Sequence, residues 1–325
     1  MVLGNRNYKV RELVSVIGLV ALTFLLVNSI GAQSAKRAST ASAIGARTFA
    51  TPEAAVDALI DAAEKFDQAT LEQIFGPEGH DIVYTGEPPL DKEQATTFVQ
   101  LAREKKQVAV DPKTKVRAFL TVGQDGWPFP VPLVKHGGKW SFDSKTGLQE
   151  IIRRRVGRNE LDAIEVCRGY VEAQHSYALK IREGYEVNQY AQRLISTQGK
   201  QDGLAWQNSD GTWDGPVGEP VARAIEKGYS AKAEPYRGYV FKVLKGQGPA
   251  APLGQMDYVV KGVMIGGFAL VASPAQYGVS GVKSFIVSQD GVVYEKDLGP
   301  NTLNLFNQME RFNPDNTWHP VEDEP

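Results

Sequence analysis

The stretch "DGWPFPVPLV", residues 125–134, lies in the part of the first half of the chain where strand periodicity has replaced helical periodicity. Upstream, Thr51 and Pro52 have the pattern of a helix N-cap and first helical position, and two further helices are predicted around Leu71 and over about Lys92–Lys105. On either side of the stretch, "VRAFLTVG" (residues 116–123) and "KWSFDS" (residues 139–144) show the alternation of strands. This order of helices followed by antiparallel sheet predicts an α+β fold.

Prolines occupy every second position of part of that stretch, at Pro128, Pro130 and Pro132. In a strand, alternate backbone N–H groups point to the same side, so these prolines remove donors from one side only. The residues between them keep their donors on the other side. The pattern predicts an edge strand that is protected from aggregation. The alternative is a polyproline II segment that offers Trp127 and Phe129 to a partner.

Length, charge and cysteine content bear on the number of domains, on nucleic-acid binding and on disulfide formation. At 325 residues the chain is long enough for two domains, and its formal net charge of -2 gives no reason to expect nucleic acid as a partner. Cys167 is the only cysteine, so an intramolecular disulfide cannot form. We interpret Cys167 as a buried structural residue rather than a catalytic thiol.

The N-terminal segment has the pattern of an export signal. Three basic residues precede an apolar run from Leu13 to Val27, and small residues follow it. We expect a cleaved signal peptide over residues 1–32 and a flexible tether over residues 33–48. An uncleaved membrane anchor is the alternative, because the run approaches the ~20 residues of a spanning helix. The cleaved signal peptide and the uncleaved anchor both predict a location in the periplasm or cell envelope of a bacterium.

The second half of the chain predicts a helix and then another antiparallel sheet. Helical periodicity returns at Leu148, and Asn159 is a candidate N-cap for a new helix. Residues 183–235 show no regular period and are expected to be irregular. Several strand patterns follow, and the dipeptide Asp290-Gly291 predicts a tight hairpin turn between two of them.

No motif in the chain meets the requirements of a catalytic or metal site. The four histidines are isolated, and the serine of "GVSGVKS" lacks the spacing of a nucleophile elbow. We therefore expect no cofactor and no bound metal. The candidate binding residues are aromatic side chains of the proline stretch and side chains of the Gly/Asp-rich residues 199–218. These candidates are Trp127, Phe129, Asp202, Trp206 and Asp210.

The portion after the signal resembles a bacterial family catalogued as domain of unknown function 2950. The resemblance rests on segments in a constant order, among them "GRNELDAIEVCRGYVEAQHSYA", "YAQRLISTQGKQDGLAW" and "MIGGFALVASPAQYGVSGVKSFIVSQDGVVYEKDLGP". It implies no activity. Residues 49–146 are also similar in pattern to the cone-shaped fold of NTF2-like proteins, and residues 147–320 to the globular head of type IV pilin-like proteins. These resemblances imply two α+β domains over those ranges.

From these observations we expect a non-catalytic envelope protein that acts by binding another envelope protein or a cell-wall ligand. The export pattern, the absence of a catalytic motif and two folds often used for recognition support this expectation. The alternative is a periplasmic hydrolase whose acidic residues, Asp202, Asp210 and Asp214, lie in a cleft between the domains. Contact with the membrane is expected only through an uncleaved N-terminal segment.

Overall fold

The structure, a computed structural model, describes residues 45–84, 88–181, 186–217 and 235–322. It combines helices with largely antiparallel sheets, which confirms the α+β class. The chain forms two compact units that divide between Ile151 and Ile152. The predicted signal peptide lies outside the described residues. No helix within the described ranges has both the length and the hydrophobicity needed to cross a membrane.

The first unit begins with helices that pack through apolar stripes. Their bounds are α1 (Pro52–Glu64), α2 (Gln68–Phe75), α3 (His80–Val83) and α4 (Pro88–Glu104). The predicted N-cap of α1 is confirmed, because Thr51 Oγ1 accepts a hydrogen bond from the Ala54 N–H at 3.1 Å. Leu59 and Ile60 of this helix are almost completely buried. Local sequence signals therefore determine where the fold begins.

A sheet of five strands covers these helices. Its strands are β1 (Lys106–Val110), β2 (Arg117–Val122), β3 (Trp127–Pro128), β4 (Leu133–His136) and β5 (Lys139–Phe142). They are antiparallel in the order β1-β2-β4-β5, and β3 pairs with β2. Aromatic rings join the two layers: the Phe129 ring centroid lies 5.1 Å from that of Phe98 on α4. The Phe142 and Phe75 centroids are 5.3 Å apart.

The proline stretch is an edge strand over only part of its length. The Phe129 N–H donates to Leu120 O at 2.8 Å, as predicted for the paired side. Among the described strands, β3 pairs with β2 alone, as expected for an edge strand. Strand β4 lies between β2 and β5, so the edge prediction is wrong for Leu133 and Val134. Pro128 pairs with Thr121, and Leu133 pairs with Ala118. Four residues of the proline stretch therefore face two residues of β2, and the two extra residues form a bulge between β3 and β4.

The second half of the chain is built on one long helix, α5 (Ser144–Ala178). The predicted helix start at Asn159 is wrong, since the helix passes through this position without interruption. The Asn159 side chain makes a tertiary contact instead: its Nδ2 donates to Ser280 O at 2.8 Å. One turn earlier, Arg155 Nε donates to Val279 O at 3.1 Å.

A carboxylate on the same helix completes this attachment. Glu160 Oε1 accepts from the backbone N–H groups of Val282 and Lys283, at 2.9 and 3.0 Å. A carboxylate that accepts two backbone N–H groups forms charge-assisted bonds, which are the stronger kind. The "GRNE" and "GVSGVKS" segments are therefore partners across more than 120 residues of sequence. Their roles are structural, and Ser280 lies in the turn that they hold.

The main sheet of the second unit has five antiparallel strands in the order β17-β16-β15-β14-β9. Their bounds are β9 (Tyr239–Leu244), β14 (Ala269–Pro274), β15 (Lys283–Ser288), β16 (Val293–Asp297) and β17 (His319–Pro320). The predicted hairpin turn is confirmed between β15 and β16, where Gly291 has a φ of 79°. A short helix, α6 (Thr302–Gln308), packs against β14.

Several smaller strands complete the second unit. They are β6 (Arg193–Ile195), β7 (Gly203–Gln207), β8 (Trp213–Asp214), β10 (Gly246–Gln247), β11 (Met256–Asp257), β12 (Val259–Val260) and β13 (Val263–Met264). Strands β6, β7 and β8 form a three-stranded sheet in which β6 and β7 are parallel. The prediction that residues 183–235 are wholly irregular is therefore wrong, because strands this short show no readable periodicity.

Candidate functional site

The described part of the second unit contains a cavity of about 350 Å³ beside strand β9. This volume is at the lower end of the range of about 300–1,000 Å³ typical of ligand pockets. Lys242 and Val243 of β9 form one side of the cavity, and Lys245 follows the strand. Tyr177, near the end of α5, and Asp202, just before β7, also contribute to the lining.

The segment that precedes β6 also contributes to the lining. Gln174 on α5 is completely buried and holds this segment in place. Its Oε1 accepts from the Ala191 N–H, and its Nε2 donates to Ala191 O, both at 2.8 Å. The Tyr190 N–H donates to Met264 O at 2.8 Å. These bonds fix the backbone from which Gln189, Tyr190, Gln192 and Arg193 reach the cavity.

Positive charge predominates in the lining. Arg193, Lys242 and Lys245 supply three cations, and Asp202 supplies one carboxylate. Asp202 is held by Thr197, whose N–H and Oγ1 donate to it at 2.7 and 2.8 Å. The Arg193 Nε lies 3.7 Å from Asp202 Oδ2, which is a loose ion pair on a largely exposed arginine. The net charge of the lining favours an anionic ligand.

The three cations differ in their availability. Lys242 Nζ donates to the carbonyl oxygens of Phe306 and Asn307 at the end of α6, at 2.7 and 3.0 Å. Burial lowers the pKa of the Lys242 ammonium. Arg193 and Lys245 are exposed, so they are the two cations best placed to meet a ligand.

The remaining lining includes a buried glutamine amide. Gln189 is 4% exposed, and its Nε2 has no hydrogen-bond partner within the described residues. A buried N–H donor without an acceptor is costly, which favours a bound oxygen nearby. The lining described above contains no serine, cysteine or histidine. Within the described ranges, no three His, Cys, Asp or Glu side chains are grouped to hold a metal.

A family model described as "Protein of unknown function (DUF2950)" matches residues 46–321. The chain belongs to the DUF2950 family. Comparison with curated proteins gives no match, and comparison with solved structures gives none either. The resemblance predicted from the sequence is thus confirmed at the level of the family. Since that description names no activity, the function of this DUF2950 protein must be argued from its own residues.

The structure places Trp127 and Phe129 in the first unit of the DUF2950 protein, and neither residue is part of the cavity lining. Trp127 is half-buried and packs against the first core. Phe129 lies between the layers, in contact with Phe98 and Phe142. Neither aromatic projects freely from a polyproline II segment, so the structure does not support that alternative.

The Gly/Asp-rich candidates are placed separately in the second unit. Asp202 lines the cavity, and Trp206 on β7 is buried. Asp210 lies in the turn before β8, where Thr212 donates to it from both its N–H and its Oγ1, and these bonds lower the pKa of the Asp210 carboxyl. Of the five predicted binding residues in this DUF2950 chain, Asp202 alone lies at the cavity.

Sequence reasoning missed Gln189, Arg193, Lys242 and Lys245. One signal was available: Lys242 interrupts the otherwise apolar strand "YVFKVL", and a charge on such a strand requires a partner. The other three lie in segments whose proximity depends on tertiary structure. Cys167 is buried as predicted, and burial raises the pKa of its thiol to about 12, which leaves it protonated at neutral pH.

Proposed function

We propose that this DUF2950 protein is exported to the bacterial cell envelope and binds an anionic, polar ligand in the cavity beside β9. The observation that carries the proposal is the excess of cations in that cavity, where Arg193 and Lys245 are exposed and Asp202 is already held by Thr197. The amides of Gln189 and Gln192 add hydrogen-bonding capacity for a polar ligand. The basic and apolar N-terminal sequence supports export.

The two units are proposed to be an NTF2-like domain and a pilin-head-like domain. In support, the first unit has helices followed by antiparallel strands, and the second has the long helix α5 and an antiparallel sheet. Both kinds of domain are compatible with recognition, but fold analogy alone does not assign a ligand. The ligand class is therefore argued from the cavity.

The hydrolase alternative depends on acidic groups that act as general acid and base. Asp202 and Asp210 accept hydrogen bonds from threonine side chains and backbone, and Asp214 accepts from the Gly215 N–H at 2.7 Å. The bonds from Thr212 lower the pKa of the Asp210 carboxyl, which makes it a weak base. These contacts weigh against the alternative and favour binding without conversion of the ligand.

Titration of the full-length protein with glutarate, followed by calorimetry, tests the ligand proposal. We expect binding that weakens as salt rises, because the attraction is electrostatic. Lys245→Gln should weaken it by roughly tenfold, which corresponds to the loss of one charge-assisted hydrogen bond. Lys139→Gln, on an exposed hairpin of the first unit, is the matched control and should change nothing. The proposal is contradicted if glutarate does not bind, or if both variants lose the same amount of affinity for it.

The export part has its own test. Fractionation of bacteria that produce the full-length protein should recover it in the envelope or periplasm. We expect the recovered chain to be shortened by the signal peptide, which mass spectrometry measures directly. An intact chain in the membrane fraction indicates the uncleaved anchor instead. Recovery in the cytoplasm alone contradicts export.

A further inference from the structure

Strand β9 is the edge of the main sheet, and its outward backbone groups are identified by the hydrogen bonds around it. In an antiparallel pair, residues alternate between facing the partner strand and facing away. The Ala275 N–H donates to Gly238 O at 2.9 Å, so the residues at even positions face β14. Phe241 and Val243 therefore direct their N–H and C=O groups away from the sheet.

The open part of this edge is short and clearly bounded. At the start of the strand, the Tyr239 N–H donates to Tyr236 O at 2.9 Å. Just after its end, Lys245 O accepts from the Tyr258 N–H, also at 2.9 Å. Between these two contacts, no backbone partner for Phe241 or Val243 occurs among the described residues. Within the described part of the chain, two residues of strand, about 7 Å long, thus keep unpaired backbone groups on this side.

This open edge borders the cavity. Val243 contributes to the lining, yet its side chain is 9% exposed and belongs to the hydrophobic core. A strand residue whose side chain is buried in the core can meet a ligand at the sheet edge through its backbone. The cavity therefore combines backbone donors and acceptors with the nearby cations Arg193 and Lys245.

A lysine on an edge strand commonly serves to prevent pairing with other chains. Lys242 is differently engaged, because its ammonium donates to Phe306 O and Asn307 O at the end of α6. The charge of Lys242 is thereby directed at the helix. The edge at Phe241 and Val243 keeps its capacity for strand addition.

We propose that the ligand is an extended acidic peptide segment of another protein, which adds to β9 as a further strand. Backbone hydrogen bonds to Phe241 and Val243 supply the pairing, and the carboxylates of the peptide meet Arg193 and Lys245. This inference rests on the proposed function, because it uses the same cations. It goes further in requiring a peptide backbone, which a small carboxylate does not have.

The test compares three ligands on the full-length protein by calorimetry. Acetyl-Glu-Val-Glu-amide is the peptide, the same peptide methylated on its three residue nitrogens is the backbone control, and glutarate is the small carboxylate. We expect the peptide to bind more tightly than glutarate. Methylation should weaken the binding of the peptide by about tenfold, since it removes the backbone N–H groups that would donate to β9. Acetyl-Gln-Val-Gln-amide should bind as weakly as the methylated peptide.

Amide hydrogen exchange provides a direct second measurement. The Phe241 and Val243 amides should exchange about tenfold more slowly with the peptide bound, and glutarate should not protect them. Strand addition is overturned, and the proposed function stands, if glutarate binds but methylation does not weaken peptide binding and the peptide does not slow exchange of the two amides. If neither glutarate nor peptide binds, both fail. Protection of these amides by self-association without peptide overturns the inference in favour of a second copy of the chain.

Discussion

Replacing Phe129 by proline lowers the free energy of unfolding by about 4 kcal/mol, the largest loss that we expect from a single change in the first unit. The substitution removes the N–H that donates to Leu120 O at 2.8 Å. It also removes a ring that lies 5.1 Å from that of Phe98 and 6.3 Å from that of Phe142. Urea unfolding followed by circular dichroism measures the loss.

The matched control is Pro128→Val. Pro128 is exposed and its backbone nitrogen faces away from β2, so a new N–H there is solvated, and we expect a change within about 0.5 kcal/mol. Pro130 is a poorer control because it is buried, and valine would bury an additional donor. If Phe129→Pro unfolds at the same urea concentration as the parent, the pairing of β3 with β2 is wrong.

The second large effect is expected at Glu160. Glu160→Ala leaves the N–H groups of Val282 and Lys283 without their shared acceptor, at a cost of about 3 kcal/mol. Because these donors lie at and directly before the start of β15, the loss should appear as unfolding of the main sheet of the second unit. Thermal unfolding and hydrogen exchange of the β15 amides measure it.

Glu165→Ala is the control on the same helix. Glu165 is exposed, so this change alters helix charge and propensity but removes no contact to the "GVSGVKS" turn. We expect it to alter stability by less than about 0.5 kcal/mol. Equal effects of the two substitutions would show that the attachment of the turn to α5 contributes nothing to stability.

Local signals predicted much of the fold. The Thr51 cap, the helix around Leu71 and the turn at Gly291 all depend on residues within a few positions of one another, and all are confirmed. Asn159 failed as a predicted cap because its amide bonds to Ser280, more than 100 residues away. The bulge between β3 and β4 also escaped prediction, because its register is set by two neighbouring strands.

The candidate site was less predictable than the fold. Asp202 was identified because carboxylates in Gly-rich segments are conspicuous, but its role there depends on Thr197 and Arg193. Lys245 and Gln189 belong to different segments that meet only after β9 and α5 have packed. A single sequence does not contain the distances that make such a group of residues a site.

The double hydrogen bond between Gln174 and Ala191 has a consequence for the length of the chain between them. A side-chain amide offers the same donor and acceptor as a peptide group, so glutamate at this position would lose the donor and leucine would lose both groups. The two bonds join α5 directly to the segment that precedes β6. Because closure cost grows only by about 0.6 kcal/mol for each doubling of loop length, an insertion between Gln174 and Ala191 should cost little stability as long as this pair of bonds is kept.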